Sequence, residues 1–262
     1  KHRYNSSRYM EKIKKHYTEG YSENIRFKRD NMHKPEFILT FETIRKYLKR
    51  DMKILELGAG TGAYSIQLAK EGYDVTALEL VEHNMSMLKL KIKPKMKIKT
   101  ILGNATDLKM INGKFDMVLC LGPMYHLKNK DRLKCLKESI RVCKKNGILI
   151  FAFISNYLPI ADNFKKNIKE LMRNENNYTS NFHRKDDVFT LVTVDEIEEL
   201  FGKVKLKKLD LLSPDGISRL LKDEINKFNK KQFAFWLDYL RKTANDPSLI
   251  GYGEHLLYIA KK

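Results

Sequence analysis

One short segment, Gly58-Ala59-Gly60-Thr61-Gly62, constrains the fold more than any other part of this chain. An apolar run from Met52 to Leu57, broken only by Lys53 and Glu56, enters it, and the pattern Tyr64, Ile66, Leu68, Ala69 leaves it. That order is a buried strand, a turn with glycines at alternate positions, and a helix. Glycine has no Cβ to clash and tolerates positive φ, so bare backbone can approach a ligand at such a turn. The helix that follows aims its unpaired N–H groups at the same point. Turns of this kind hold nucleotide-like cofactors, and they occur in α/β folds.

The surrounding pattern extends the argument. Strands are expected at residues 53–57, 74–80, 97–102, 115–121 and 147–154, with helices at 64–71, 82–90 and 131–144 between them. Such alternation predicts a doubly wound, largely parallel sheet with right-handed crossovers. The first fifty residues read as helices: Tyr9 to Tyr17 is amphipathic, and Pro35 opens a second helix bearing Phe37, Ile38, Phe41, Ile44 and Leu48. Beyond residue 154 a helix is expected at 157–172, a polar loop at 173–187 and a short strand at 189–192. Thr193, with Glu196 closing a capping box, starts the next helix. A strand at 204–212, two amphipathic helices between Pro214 and Ala244, and a last strand at 255–260 complete the chain.

Composition excludes several classes. With 42% hydrophobic residues and only 13 glycines and 6 prolines, the chain can build a core and is not of low complexity. No apolar stretch reaches the roughly 18 residues of a membrane span, and no signal-like segment is visible, so a cytoplasmic location without a membrane is expected. Cys120, Cys135 and Cys143 lack any metal-ligand spacing and read as reduced, buried thiols, and no metal site is expected. The net charge of +19 has two readings: a nucleic-acid partner, or a lysine-rich composition spread over the surface. Lysines alternate with apolar residues from Lys89 to Lys99, as an RNA-binding comb or as protection of an edge strand would require.

Further motifs then converge. The acid Glu79 ends the second strand, seventeen residues after Gly62; Asn104-Ala105 follows the third; Leu121-Gly122-Pro123-Met124-Tyr125-His126-Leu127 follows the fourth. With Glu56, Gly58, Gly60 and Gly62 these resemble the class I S-adenosylmethionine-dependent methyltransferases, over residues 50–155 for the motifs and to the end for the topology. Gly58-x-Gly60-x-x-Ala63 also satisfies a dinucleotide fingerprint with Glu79 as the ribose acid, but Glu56 and Asn104-Ala105 favour the methyltransferase.

The resemblance implies a single Rossmann-like domain with a seven-stranded sheet, mostly parallel with an antiparallel last strand. It divides into a helical lid (1–50), a cofactor-binding core (51–155), and substrate-side helices with the C-terminal strands (156–262). S-adenosyl-L-methionine is the implied cofactor and S-adenosyl-L-homocysteine the product. Gly58, Ala59, Gly60, Gly62 and Leu121 would give backbone to its methionine part, and Glu56 would orient its ammonium group or serve in a salt bridge. Glu79 would hold the ribose hydroxyls and Leu80 the adenine face, with Asn104 and Ala105 on the adenine edge. From the lid, Tyr9, Tyr17 and Tyr21 are candidates to stack near the sulfonium, and Arg26 would pair with the cofactor carboxylate or stay solvated. His126 is a candidate base or a structural cap, and Tyr125 a substrate contact. Leu121-Gly122-Pro123-Met124 lacks the side-chain amide or acid that nucleobase amino-methyltransferases use, so a small-molecule acceptor is expected. RNA methylation and a non-catalytic regulatory role stay open as alternatives.

Overall fold

The computed structural model describes residues 6–20, 26, 27, 29–180, 182, 183 and 188–262. Two N-terminal helices, α1 (Ser6–Lys15, continued by a π-turn at His16–Gly20) and α2 (Lys34–Tyr47), precede the sheet. Strands β1 (Lys53–Leu57), β2 (Asp74–Glu79), β3 (Ile98–Leu102), β4 (Phe115–Cys120) and β5 (Cys143–Ile154) run parallel. Between them lie α3 (Ala63–Lys70), α4 (Glu82–Lys89) and α5 (Asn129–Val142). Then come α6 (Tyr157–Arg173), α7 (Val194–Gly202), β6 (Lys207–Leu212), α8 (Lys222–Ile225), α9 (Lys230–Thr243) and β7 (His255–Lys261).

The strand order is β3-β2-β1-β4-β5-β7-β6, with β7 antiparallel to both its neighbours. The expected seven-stranded Rossmann-like sheet is therefore present, and β7 alone reverses direction. Side chains alternate across the strands. On β5, Leu149, Phe151 and Phe153 pack with Leu136 of α5 and Phe201 of α7, while Ile148, Ile150 and Ala152 share the opposite layer with Phe41, Ile44, Tyr64 and Leu68. Both faces are covered, which is why these strands read as near-continuous apolar runs. Each fully buried Leu or Phe contributes about 1.5–3 kcal/mol.

β3 lies at the sheet edge with Lys97 and Lys99 exposed, the placement that edge protection requires. The capping box of α7 forms as expected: Glu196 N donates to Thr193 Oγ1 (3.2 Å) and Thr193 N to Glu196 Oε2 (2.8 Å). Several bounds shift, β6 starting at Lys207 rather than at 204, and two expectations differ further. β5 starts at Cys143 rather than Gly147, because the chain leaves α5 extended and kinks at Asn146, whose φ is +63°. Residues 189–192 form no strand beyond a single bridge from Val192 to Ser155. Among the described residues no helix is long and apolar enough to cross a membrane, and all three cysteines are buried and free.

Candidate active site

The order β3-β2-β1-β4 reverses direction between β1 and β4, and the glycine turn sits at the carboxyl end of β1, where such sheets open a crevice. Gly58, Gly60 and Gly62 all have positive φ, from +54° to +86°. The turn is tied to the next strand: the N–H groups of Gly58 and Ala59 both donate to Leu78 O, at 2.8 and 3.0 Å. The space beside it is also needed. A Cβ at Gly58 would lie 2.7 Å from Pro123 Cδ, and one at Gly62 would overlap Leu88.

This turn forms one wall of a cleft. Glu79 stands across it, buried, with Oε2 accepting from Gly60 N and Oε1 from Val81 N, both at 2.8 Å. Leu80, Asn104 and Ala105 line the same cleft, as do Tyr125 and His126. Asn104 is aimed by its own backbone, Thr106 N donating to Oδ1 at 3.0 Å, while Nδ2 reaches Met10 Sδ at 3.0 Å. Met10 and Ile13 of α1 thus cover the end of the cleft at Asn104.

Other expected contributors lie outside the cleft lining. Ala59 and Leu121 are buried beside it, and Gly62 caps α3. Glu56 is 1% exposed on the face of β1 turned to α3, where Ser65 Oγ donates to it. Burial pushes its carboxyl up to about 8, so at neutral pH it is largely a protonated acid supporting the turn from beneath. Tyr21 falls outside the described residues. Arg26 lines a different space, described below.

His126 is the polar group at the far end. Its Nδ1 meets Val188 O at 2.9 Å and its Nε2 meets Tyr17 Oη at 2.8 Å. A carbonyl can only accept, so Nδ1 carries the proton and Nε2 accepts from the Tyr17 hydroxyl. Burial lowers the imidazole to about 4, with His16 and Arg26 adding repulsion, so it is neutral at physiological pH. The loop carrying it is braced from two sides. Arg132, buried on α5, donates from Nε to Met124 O (2.9 Å) and from Nη2 to Thr190 O (2.7 Å). Thr190 N donates in turn to Tyr125 O at 2.7 Å. Tyr17, Tyr125 and Phe189 surround the His126 ring, with centroids 5.4, 4.8 and 4.9 Å away.

Residues 55–151 match a family model described as a methyltransferase domain. Those residues form a class I S-adenosylmethionine-dependent methyltransferase domain. It is 36% identical over 104 residues to a glycine/sarcosine N-methyltransferase from Parasynechococcus marenigrum, covering 37% of this chain and 36% of that one. It is 27% identical over 161 residues to a ubiquinone biosynthesis O-methyltransferase from Rickettsia canadensis, covering 58% and 66%. The chain spans less than half the length of several curated relatives it matches. In fold it is similar to magnesium protoporphyrin IX methyltransferase from Synechocystis with bound S-adenosylhomocysteine, at TM-score 0.57 and 12% identity over 98% of this chain and 95% of that one.

Beside this cleft lies a second chamber, open to solvent, which shares Tyr17 and Tyr125 with it. Its walls are charged. Arg26 Nη2 donates to Glu36 Oε1 at 2.5 Å and lies 3.1 Å from His255 Nε2, while His255 Nδ1 pairs with Asp215 Oδ2 at 2.6 Å. Burial alone would lower His255, yet Glu36 and Asp215 outweigh it and push the imidazole up to about 9. Arg219 joins Asp162 (2.8 Å) and Glu254. Asp215, Glu254 and His255 bring possible ligand atoms within 4.8 Å of one another, but here they are tied into this ion-pair cluster. The aromatic residues of α9 stay out of both spaces: Phe235 is exposed, and Trp236 Nε1 donates to Ser218 Oγ at 3.2 Å.

Three features escaped the sequence reading. The Tyr17–His126 bond joins residues 109 apart, and Arg132 and Phe189 carry no motif. An aromatic beside a candidate base was legible; the partner it would bond was not.

Proposed function

We propose that this domain transfers a methyl group from S-adenosylmethionine to a nitrogen, oxygen or sulfur nucleophile of a small molecule held in the second chamber. The observation that carries the reading is the shared wall: Tyr17 and Tyr125 line both spaces, so cleft and chamber meet beside His126. The residues fit the cofactor. Gly58 and Gly60 bring bare backbone at positive φ to the cleft wall, and Glu79 is a carboxylate suited to two ribose hydroxyls. Leu80, Asn104 and Ala105 supply an apolar face, an amide and a backbone N–H for adenine. Residues 1–50 act as the lid, 51–155 as the cofactor core and 156–262 as the acceptor side.

When bound, S-adenosylmethionine supplies an electrophilic sulfonium methyl group and is released as S-adenosylhomocysteine. The chain's own task is alignment, which dominates an in-line displacement. The rings of Tyr17 and Tyr125 at the junction favour a positive charge. Neutral His126 accepts the Tyr17 proton at Nε2, and the Tyr17 oxygen takes the proton of the acceptor nucleophile. Relatives named for glycine and sarcosine, and for ubiquinone biosynthesis, support a small acceptor. The test is labelled-methyl transfer from S-adenosylmethionine into a metabolite extract and, in parallel, into total RNA, with products identified by mass spectrometry. Label in a small metabolite supports the reading, and label confined to RNA overturns it.

A further inference from the structure

The charges of the second chamber are unevenly used. Each acid lining it already has a cation: Glu36 has Arg26 at 2.5 Å, Asp215 has His255 at 2.6 Å, and Glu254 has Arg219. The bases lining it are not all so engaged. Among the described residues the side chains of Arg29 and Lys222 have no hydrogen bond and no short ion pair, although both line the same space. Asp30, whose carboxylate feels Lys222, is already bonded to His33 Nδ1 at 2.6 Å. Arg219 spends Nε on Asp162 and Nη1 on Glu254, two carboxylates that lock its plane while Nη2 is left over.

Burying ion pairs does not by itself stabilise a fold; well-packed apolar residues in the same place do as well or better. Asp162, Asp215, Glu254 and His255 are nevertheless enclosed in one wall of this chamber, their side chains 2%, 6%, 14% and 9% exposed. The wall fixes Arg219 in orientation, and Arg29 and Lys222 add positive charge to the same lining. That is the donor set that recognises a carboxylate or a phosphate.

We propose that the methyl acceptor carries an acidic group, carboxylate or phosphate, which Arg219, Arg29 and Lys222 hold at the end of the chamber away from Tyr17 and His126. The inference rests on the chamber being the acceptor site. The nucleophile then faces the junction while the acid is anchored behind it, so the bound molecule has one orientation. Small molecules whose acid is blocked lose that anchor.

Two measurements separate this from the broader reading. Binding of inorganic phosphate, and separately of acetate, is followed by calorimetry on the full chain, its Arg29→Gln/Lys222→Gln variant, and a Lys97→Gln/Lys99→Gln control that loses the same charge on the β3 edge. The expected result is a roughly 10-fold or larger loss of affinity in the chamber variant alone, as for charge-assisted hydrogen bonds. Which anion binds tells phosphate from carboxylate. No binding of either anion, or equal loss in the control, overturns the proposal. Methyl transfer is then compared on paired acceptors, glycine against glycinamide and a catechol acid against catechol. Transfer to neutral members at least equal to that for the acids overturns the anionic acceptor but leaves the methyl-transfer reading standing. Anion binding without transfer to any compound overturns that reading instead.

Discussion

The cleft and the chamber are neighbours built in opposite ways. The cleft is built largely on backbone: Gly58 and Gly60 of the turn, Gly103 and Gly122, the strand ends of β1, β2 and β4, and one carboxylate held by two main-chain N–H groups. The chamber is made of side chains drawn from residues 26–36, 154–163, 215–222 and 254–255. A backbone cradle accepts one shape and changes little when surface residues change. A wall of charged side chains can be re-tuned one residue at a time, as the acceptor site proposed above requires.

The contrast breaks first at the junction. Tyr17→Phe and His126→Gln are each expected to slow methyl transfer about 10²- to 10⁴-fold if proton transfer limits the step. Cofactor affinity should stay unchanged, read by single-turnover rates beside calorimetry. Unchanged rates would leave alignment as the whole of the catalysis. In the cradle, Gly62→Ala places a Cβ against Leu88 at φ +86° and should cost about 2–5 kcal/mol of stability, measured by urea unfolding. Glu79→Ala should weaken cofactor binding by about 1–3 kcal/mol through lost charge-assisted hydrogen bonds. Unchanged affinity would remove Glu79 from the site.

The two regions should also respond to pH in opposite directions. His126, lowered by burial to about 4, is protonated more readily in the unfolded chain. Its contribution to stability is present above pH 6.5 and is lost as pH falls from there to about 4. His255, held up to about 9 by Glu36 and Asp215 against the effect of burial, contributes fully below pH 6.5 and loses that contribution as pH rises through about 9. Urea midpoints across this range should lose their acid-side slope in His126→Gln and their alkaline-side slope in His255→Gln. The same slope change in both variants would mean that the two histidines do not titrate independently.

The same contrast explains what could be read in advance. The glycine turn, Glu79 and Asn104-Ala105 are local: each needs only its own strand and turn, and strand alternation carries them into one crevice. The capping box of α7 was legible for the same reason. Arg26, by contrast, meets His255 across 229 residues, and Tyr17 meets His126 across 109. Nothing in the spacing of those residues encodes the meeting, because it is produced by α1 and α2 folding back over the sheet. Glu56 shows a second limit. Its position two residues before Gly58 is plain in the chain, but its neutral state at physiological pH follows only from its enclosure beside Ser65.

Strand β7 slots between β5 and β6, so β6 has no other neighbour in the sheet. During synthesis, residues 207–212 must therefore wait without a partner until 255–261 have left the ribosome. His255 opens that late strand, and Asp215 and Arg219 lie in the stretch that waits for it. The nucleotide-side half can settle while the chain is still growing, whereas the charged wall of the chamber comes together only in the final step.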